Sequence, residues 1–261
     1  MTATSHRLPA EPPSVDWLGQ ALDCATCDNR GLLAEGKCQP AFSCVFDRYA
    51  KRIDRFFRWN PALANNYLEH PYFEVRAVAS RSADVFRLVG LMYDPDETVR
   101  LHVALRLPQR LLAELRADPD REVRIRVAHR LDASLLGGMV DDPDYFVRQL
   151  VAQRLPLPLL PRMARDPDRE VRLVVAARLQ VPALLVLRDD PEVDVRRSVA
   201  RRLPAGLLGE MARDPAWEVR WEVAQKASEL LARSLLLDEE AEVRDAARDR
   251  LATLKPEARH G

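Results

Sequence analysis

A motif that returns at one fixed interval constrains this chain more than any other feature of its sequence. The unit opens with Asp-Pro-Asp and continues with Val-Arg, Val-Ala-x-Arg-Leu and a Leu-rich second half. Eight units open in one register, at His70, Asp94, Asp118, Asp142, Asp166, Asp190, Asp214 and Asp238. A fixed period of about 24 residues predicts a solenoid, in which neighbouring units bury one another's apolar faces.

Each unit predicts one full helix followed by a much shorter one. In one unit Val147, Val151 and Leu155 fall on a single helical stripe. Pro156 then disfavours helical geometry in the residue before it, so the first helix should end there. The second half has apolar residues at i, i+1 and i+4 between prolines, which favours a 3₁₀ segment. The β-branched residues stand at helical spacing, so we predict an all-α solenoid.

The opening residues of the unit indicate where its helix begins. We expect the opening Asp to be the N-cap and the Pro after it to be the first helical residue. An aspartate accepts a hydrogen bond from a free amide of the first turn, and proline lacks the N–H that would go unused. An acidic residue in third place suits the positive end of the helix dipole. Such residues are Asp96, Asp120, Asp144, Asp168 and Glu192.

Charge and hydropathy exclude several classes of protein. The chain carries 40 Lys and Arg against 40 Asp and Glu, and residues 1–69 are balanced like the rest. This balance counts against a bulk electrostatic grip on nucleic acid or an anionic membrane. No apolar run approaches the roughly 20 residues of a membrane span. Residues 1–14 lack the apolar core of a secretory signal, so we expect a cytoplasmic protein.

All four cysteines lie together ahead of the repeats, at Cys24, Cys27, Cys38 and Cys44. Without an export signal we do not expect disulfides. Four thiolates satisfy either Zn²⁺ or an iron–sulfur cluster. Cys24 and Cys27 form a CxxC pair, whereas Cys38 and Cys44 are too far apart for the usual second zinc knuckle. The spacing leaves zinc and iron–sulfur open, and free cysteines in a small core are the remaining alternative.

The predicted order is a disordered tail over residues 1–14, a four-cysteine module with a connecting helix over 15–69, eight repeats over 70–251 with the last one truncated, and a tail over 252–261. Residues 15–22 are expected to form a short helix. The connecting helix, over residues 45–59, alternates arginines with aromatic and apolar side chains. We favour a role in packing the module on the first repeat over a basic aromatic patch for nucleic acid. Its apolar residues are Phe46, Tyr49, Ile53, Phe56 and Phe57.

The repeat joined to a four-cysteine module resembles the leucine-rich repeat variant family. The resemblance spans Cys24 to about Leu251, and every unit carries the motif in one register. It implies α and 3₁₀ helices that alternate in a right-handed superhelix without β-strands. It also implies a [4Fe–4S] cluster on Cys24, Cys27, Cys38 and Cys44, with zinc as the alternative. It implies no settled biochemical activity.

Two columns of arginine exceed what packing alone requires. The first follows the Val of every unit, at Arg76, Arg100, Arg124, Arg148, Arg172, Arg196, Arg220 and Arg244. The second comprises Arg106, Arg130, Arg154, Arg178 and Arg202. We favour a ladder, in which each Arg of the first column pairs with an opening Asp of its own or a neighbouring unit, since an unpaired buried guanidinium is costly. The alternative is a basic groove for nucleic acid.

The sequence contains no GxGxxG, P-loop or HExxH motif, and its five histidines share no spacing, so we expect no enzyme. The leading hypothesis is an iron–sulfur repeat protein whose solenoid binds a macromolecular partner, which we expect to be a protein. A second hypothesis is an electron-transfer or redox-sensing protein. A third is a nucleic-acid-binding repeat protein with a structural cluster. No membrane partner is expected.

Overall fold

The computed structural model describes residues 14–254, and the chain divides after Leu131 into two compact parts, the N-terminal half and the C-terminal half. The predicted tails lie outside the described residues, apart from residues 14 and 252–254. The helices of the N-terminal half are α1 (Arg30–Ala34), α2 (Ala50–Trp59), α3 (Phe73–Ala79), α4 (Glu97–Ala104), α5 (Gln109–Leu112) and α6 (Arg121–Arg130). Its 3₁₀ segments are Pro61–Tyr67, Val85–Tyr93 and Ala113–Ala117.

The C-terminal half continues the same alternation of α-helices and 3₁₀ segments. Its helices are α7 (Tyr145–Arg154), α8 (Arg169–Arg178), α9 (Val193–Arg202), α10 (Trp217–Lys226), α11 (Glu229–Leu235) and α12 (Ala241–Leu254). Its 3₁₀ segments are Ala133–Met139, Leu160–Met163, Ala183–Leu187, Ala205–Leu207 and Met211–Arg213. Over residues 14–254, bridge pairing is limited to the isolated contacts Val15–Ala21 and Gln39–Ser43. The predicted all-α solenoid class is therefore confirmed.

Each full helix packs on the next one within its half of the chain. In the N-terminal half α2 packs on α3, α3 on α4 and α4 on α6; in the C-terminal half α7, α8, α9, α10 and α12 follow one another in the same way. The Val before each first-column Arg is buried. These residues are Val75, Val99, Val123, Val147, Val171, Val195, Val219 and Val243. Full burial of such a side chain stabilises the fold by about 1.5–3 kcal/mol.

The predicted helix start is wrong by two residues. The cap of α6 is the third residue of its unit, Asp120, whose carboxylate accepts from the N–H of Glu122 at 2.9 Å and of Val123 at 3.1 Å. The opening Asp118 instead accepts from the N–H of Asp120 at 2.8 Å and receives Arg100 from the preceding unit. The arginine ladder thus takes the opening carboxylate and leaves the cap to the next acidic residue.

The short second helices largely confirm the prediction. Leu160–Met163 is a 3₁₀ segment, and α7 ends at Arg154 as the proline two residues later requires. In the second and seventh repeats, however, the second half contains the α-helices α5 and α11. None of the helices within residues 14–254 is long and apolar enough to cross a membrane.

The predicted helix over residues 15–22 is wrong. These residues form a turn closed by the bridge between Val15 and Ala21. The carboxylate of Asp16 accepts from the N–H of Leu18 at 2.9 Å and of Gln20 at 2.8 Å. An aspartate that bonds its own following amides offers the backbone an alternative to the helix, and here that alternative prevails.

Candidate metal centre

Cys24 and Cys27 lie in a turn that Asp23 orders. Its carboxylate accepts from the N–H of Ala25 at 2.9 Å and from the hydroxyl of Thr26 at 2.9 Å. These bonds hold the pKa of Asp23 below its usual value. Side chains of this type stabilise turns by bonding the residues that follow them. Both cysteines are half-buried, so one short loop presents two sulfur atoms.

Cys38 and Cys44 flank a small hairpin and are both buried. Gln39 and Ser43 exchange two backbone hydrogen bonds of 2.8 Å each, which closes the hairpin between the two cysteines. At its tip Ala41 has a φ of 59°, in the left-handed region that favours glycine. The closed hairpin brings the second pair of sulfurs together although five residues separate them.

Helix α2 fixes this hairpin from one side. The Arg55 guanidinium lies 4.1 Å from the centre of the Phe42 ring and donates to the Phe42 carbonyl at 3.2 Å. At the end of α2, the Asn60 amide donates to the carbonyl of Lys37 at 2.8 Å and to that of Phe56 at 2.9 Å. The residues on either side of Cys38 and Cys44 are therefore held by a rigid element.

The connecting helix is shorter than the predicted span of residues 45–59: it begins at Ala50, so Phe46 and Tyr49 lie before it. It packs on α3, in the first repeat, and buries Ile53, Phe56 and Phe57, each at most 2% exposed. Its Arg52 is buried too and forms a salt bridge of 2.8 Å with Asp47. The apolar side chains of the helix thus serve packing, as predicted, whereas Lys51, Arg58 and Trp59 are exposed.

Burial and neighbouring sulfurs shift the pKa values of all four thiols. Burial raises the pKa of Cys24 and of Cys27, and the sulfur of Cys44 raises each further. A hydrogen bond from the Cys44 thiol lowers the pKa of Cys38. The same bond, followed by burial, raises the pKa of Cys44 strongly. The structure thus places the four predicted site residues on one turn and one hairpin, two cysteines on each.

Asn29 and Tyr67 form part of the wall of this region, and sequence reasoning assigned neither a role. The backbone N–H of Asn29 donates to the sulfur of Cys27 at 3.3 Å. Its side-chain amide donates to the Tyr67 hydroxyl oxygen at 2.7 Å. The Tyr67 ring packs edge-on against Phe57 at 5.6 Å and Phe56 at 6.1 Å. The one available signal was the polar residue two places after the CxxC pair.

The chemistry of the donor set fits either metal group considered from the sequence. Over residues 14–254, no three or more His, Cys, Asp or Glu side chains are grouped closely enough to hold one metal ion. His70, the closest histidine that the structure describes, accepts from the N–H of Tyr72 at 3.1 Å and packs against Trp17 at 4.7 Å. His6 lies outside the described residues. The four cysteines have the all-sulfur chemistry that iron–sulfur clusters and Cys₄ zinc sites require, although their side chains are not grouped around one point in this structure.

The first arginine column forms the predicted ladder within both halves of the chain. Six of its eight guanidinium groups make a forked pair with the opening Asp of the following repeat, 18 residues later. Arg244, in the last repeat, donates instead to the carbonyls of Asp238 and Glu239. The pairs are Arg76–Asp94 and Arg100–Asp118 in the N-terminal half, and Arg148–Asp166, Arg172–Asp190, Arg196–Asp214 and Arg220–Asp238 in the C-terminal half. The ladder prediction is confirmed for these pairs.

One rung shows how the ladder joins units. Nε and Nη2 of Arg172 donate to the two carboxylate oxygens of Asp190 at 2.7 Å and 3.1 Å. Nη1 donates to the carbonyls of Asp166 at 2.9 Å and Pro167 at 3.1 Å, at the opening of its own unit. The bond to Asp190 raises the pKa of the Arg172 guanidinium. One side chain thus connects two successive openings, with its charge satisfied inside the protein.

The second arginine column caps helices of the preceding unit, a role that sequence reasoning missed. Arg106 donates to the carbonyls of Ser80 at 2.9 Å and Ala83 at 2.6 Å. In the C-terminal half of the chain, Arg178 donates to the Ala152 carbonyl of the preceding repeat at 2.5 Å. The last carbonyls of a helix have no partner within it, so a basic residue at this place was the available signal.

Comparison with known proteins adds two family matches. The family model described as "LRV protein FeS4 cluster" matches residues 14–66, which include all four cysteines. The model described as "Leucine rich repeat variant" matches residues 145–168 and 193–216, which are two of the units.

Two individual proteins are similar to this chain. An uncharacterized 27.7 kDa protein in the nifB 3′ region of Rhodobacter capsulatus is 52% identical over 101 residues, which cover 39% of this chain and 41% of that protein. The match thus spans about two fifths of this curated relative. The solved structure titled "A leucine-rich repeat variant with a novel repetitive protein structural motif" is 46% identical, with a TM-score of 0.79. It matches over 88% of this chain and 99% of its own.

Proposed function

Because the chain belongs to the leucine-rich repeat variant family, we propose that it is an iron–sulfur repeat protein with a [4Fe–4S] cluster on Cys24, Cys27, Cys38 and Cys44. The observation that carries this proposal is the placement of the four cysteines on one short turn and one closed hairpin, two on each. The match of this region to the family's cluster module supports it. Zinc is the alternative occupant.

The residues around the thiols suit a bound cluster. The four sulfurs would hold it, and it would supply one-electron chemistry. Asp23 orients the CxxC turn, and the backbone N–H of Asn29 donates to the Cys27 sulfur. Phe56 and Phe57 are buried beside Tyr67 and keep water from that side. These residues would orient the ligands and limit solvent access.

Metal analysis of protein purified without oxygen tests this assignment. We expect about four iron and four acid-labile sulfide per chain, with a broad absorption in the visible blue. Cys44→Ser should lose most of the iron, whereas Thr26→Ser in the CxxC turn should retain it. About one zinc per chain without sulfide would contradict the cluster and every redox role.

The repeats, in this proposal, are a non-enzymatic scaffold that binds a protein partner in the cytoplasm. The ladder engages the first arginine column with buried carboxylates, and the second column engages carbonyls. The carboxylates therefore offset the charge of the first column, and the carbonyls occupy donors of the second column that phosphate groups would otherwise accept from. Fluorescence anisotropy with DNA and RNA at two salt concentrations tests this step. Binding that weakens steeply with salt would favour the nucleic-acid alternative.

A redox role is the second candidate, and the exposure of the CxxC turn favours it. Cys24 and Cys27 are only half-buried, in contrast to Cys38 and Cys44. A cluster near the surface can exchange electrons with a docked protein. Spectroelectrochemical titration tests this candidate, and we expect reversible reduction. A cluster that cannot be cycled without unfolding would exclude electron transfer and leave a structural role.

A further inference from the structure

The hairpin over residues 38–44 places Cys38 opposite Cys44. Gln39 and Ser43 exchange both of their backbone hydrogen bonds at 2.8 Å, so they are a hydrogen-bonded pair of the antiparallel kind. The next pair outward is Cys38 with Cys44, whose backbone groups point away from the opposite arm. The N–H of Cys44 accordingly donates to the carbonyl of Arg52 at 3.2 Å. At such a non-hydrogen-bonded pair the Cα atoms lie about 4.5 Å apart and the side chains are closest to each other.

The side chains of this pair suit a covalent bond between them. Both cysteines are free thiols, and the thiol of Cys44 donates a hydrogen bond to the sulfur of Cys38. A disulfide requires Cα atoms about 4.4–6.8 Å apart and Cβ atoms about 3.8 Å apart. A non-hydrogen-bonded antiparallel pair lies at the lower end of this Cα range. The two sulfurs can therefore be joined by side-chain rotation, without a change of the backbone.

Contacts on both arms hold the hairpin in this form. The Asn60 amide donates to the carbonyl of Lys37, the residue before Cys38, at 2.8 Å. Arg55 donates to the carbonyl of Phe42, on the returning arm, at 3.2 Å. Since the fold has already brought the two thiols together, little conformational entropy remains to be lost when they join. Each thiol thus has a high effective concentration at the other.

Burial limits which oxidant can reach the pair. Cys38 and Cys44 are only 8% and 7% exposed, whereas Gln39 and Pro40 between them are exposed. A folded oxidoreductase has little room at sulfurs this deep, but a small molecule can approach Cys38 beside the exposed part of the hairpin. Access of this kind favours a small-molecule disulfide as the oxidant.

We propose that Cys38 and Cys44 are a site of reversible oxidation and form a disulfide with each other when a small-molecule disulfide is in excess. One of the two sulfurs attacks the small disulfide and displaces one thiol, and the other then attacks the mixed disulfide and displaces the second. The protein thiols lose two protons and two electrons, which the two halves of the small disulfide gain. In a reducing compartment such a bond is transient and senses the redox state.

This bond would compete with metal binding. A sulfur in a disulfide is no longer available as a thiolate ligand, so oxidation removes two of the four ligands named in the proposed function. The oxidation itself requires no cluster, because it depends only on the hairpin and its two thiols. It therefore goes beyond the proposed function and can be tested without it.

Trypsin places the two cysteine pairs on separate peptides, which makes the test direct. It cleaves after arginine and lysine, so residues 8–30 carry Cys24 and Cys27, and residues 38–48 carry Cys38 and Cys44. The full chain, reduced and treated with a chelator, is equilibrated with oxidised glutathione, and its remaining thiols are alkylated before digestion and mass spectrometry. We expect peptide 38–48 to carry no alkyl group and to be lighter by two hydrogens. Dithiothreitol should restore two alkylated cysteines.

Two controls separate the geometry of the hairpin from general thiol reactivity. At equal glutathione, the folded chain should form at least about tenfold more of this bond than the chain in urea, because unfolding removes the effective concentration. Circular dichroism establishes that the chelated chain is folded before oxidation. Cys44→Ser should retain glutathione on Cys38, since the second sulfur is absent, whereas Cys24→Ser should form the bond as the wild type does.

Several outcomes would overturn the inference. They are a doubly alkylated peptide 38–48 after oxidation, a stable glutathione adduct on that peptide in the wild type, frequent bonds between peptides 8–30 and 38–48, and equal yields in the folded and unfolded chain. Iron and sulfide analysis decides the proposed function separately. A chain that never binds iron can still form this bond, and a chain that holds a cluster can fail to form it once the metal is removed.

Discussion

Removing one guanidinium from the ladder should destabilise the repeats far more than removing one from the surface. Arg172 is the most informative site, since it lies inside the C-terminal half of the chain with its partner Asp190. Arg172→Met removes two bonds to that carboxylate and two to the carbonyls of Asp166 and Pro167. Methionine retains much of the apolar stem, so the packing loss is small.

The magnitude follows from the buried charge that is left behind. Arg172 and Asp190 are only 8% and 7% exposed. Breaking a buried ion pair from one side costs about 3–5 kcal/mol, because the remaining charge loses its partner. The N–H of Glu192 still donates to Asp190 at 2.9 Å, which offsets part of this cost. We therefore expect a loss near the middle of that range.

Urea unfolding of the full chain measures this change in free energy. Repeat arrays can depart from two-state behaviour, so circular dichroism and tryptophan fluorescence must give coincident transitions. Otherwise native-state hydrogen exchange in α8 and α9 supplies the local free energy. Arg169→Met is the control, since Arg169 is 64% exposed and pairs with Glu170 at the surface at 3.2 Å. It should cost less than about 1 kcal/mol.

Two results would refute the reasoning about the ladder. The first is equal, small losses in Arg172→Met and Arg169→Met. The second concerns Arg172→Met combined with Asp190→Leu, which removes the stranded carboxylate together with its partner. This double variant should be more stable than Arg172→Met alone, because apolar replacement of a buried pair is often nearly neutral. A double variant that is less stable would show that the charge is not the source of the loss.

Three further predictions concern the caps and the acidic residues. Asp168→Ala removes the α8 cap and should lower the free energy of unfolding in urea by about 1 kcal/mol. Asp166→Ala leaves the Arg148 guanidinium of the ladder without its carboxylate and should lower it by about 3–5 kcal/mol. Equal losses would contradict the assignment of the cap to Asp168 and of the ladder to Asp166. Arg202→Met leaves carbonyls of the preceding unit unpaired and should cost about 1–3 kcal/mol, and a neutral result would show that water replaces it. Burial pushes the pKa values of Asp94 and Asp238 upward, but the bonds from their arginines hold them below the ordinary 3.8. Their contribution should therefore be complete above that ordinary value and disappear as the pH falls through the lowered values; stability measured across this range that does not fall would contradict it.

The sequence predicts the ladder because period and charge coincide. Arg172 and Asp190 are separated by 18 residues, a spacing repeated from unit to unit. A buried arginine needs a carboxylate, and the opening residue is Asp in seven of the eight units. The same argument should have corrected the N-cap. An opening Asp committed to a neighbour's arginine cannot also cap its own helix, which leaves that task to the third residue, as at Asp120 and Asp168.

The geometry of the cysteine region could not be predicted in the same way. Its hairpin depends on a single bridge between Gln39 and Ser43, with Ala41 in the left-handed region. No periodicity signals such a bridge. The roles of Asn29 and Tyr67 depend on contacts between residues 38 positions apart. The sequence therefore identifies the four sulfurs as candidate ligands, but not the polar groups that surround them.

Helix α2 links the candidate metal centre physically to the first repeats. Arg52 stands one full period before Arg76, in the register of the first arginine column, but His70 occupies the place of the opening Asp that would pair with it. An imidazole cannot accept a forked guanidinium, and Arg52 pairs with Asp47 inside the module instead. The same helix packs on α3 and holds the hairpin through Arg55. Formation of the cysteine hairpin and docking of the first repeat therefore stabilise each other through one element.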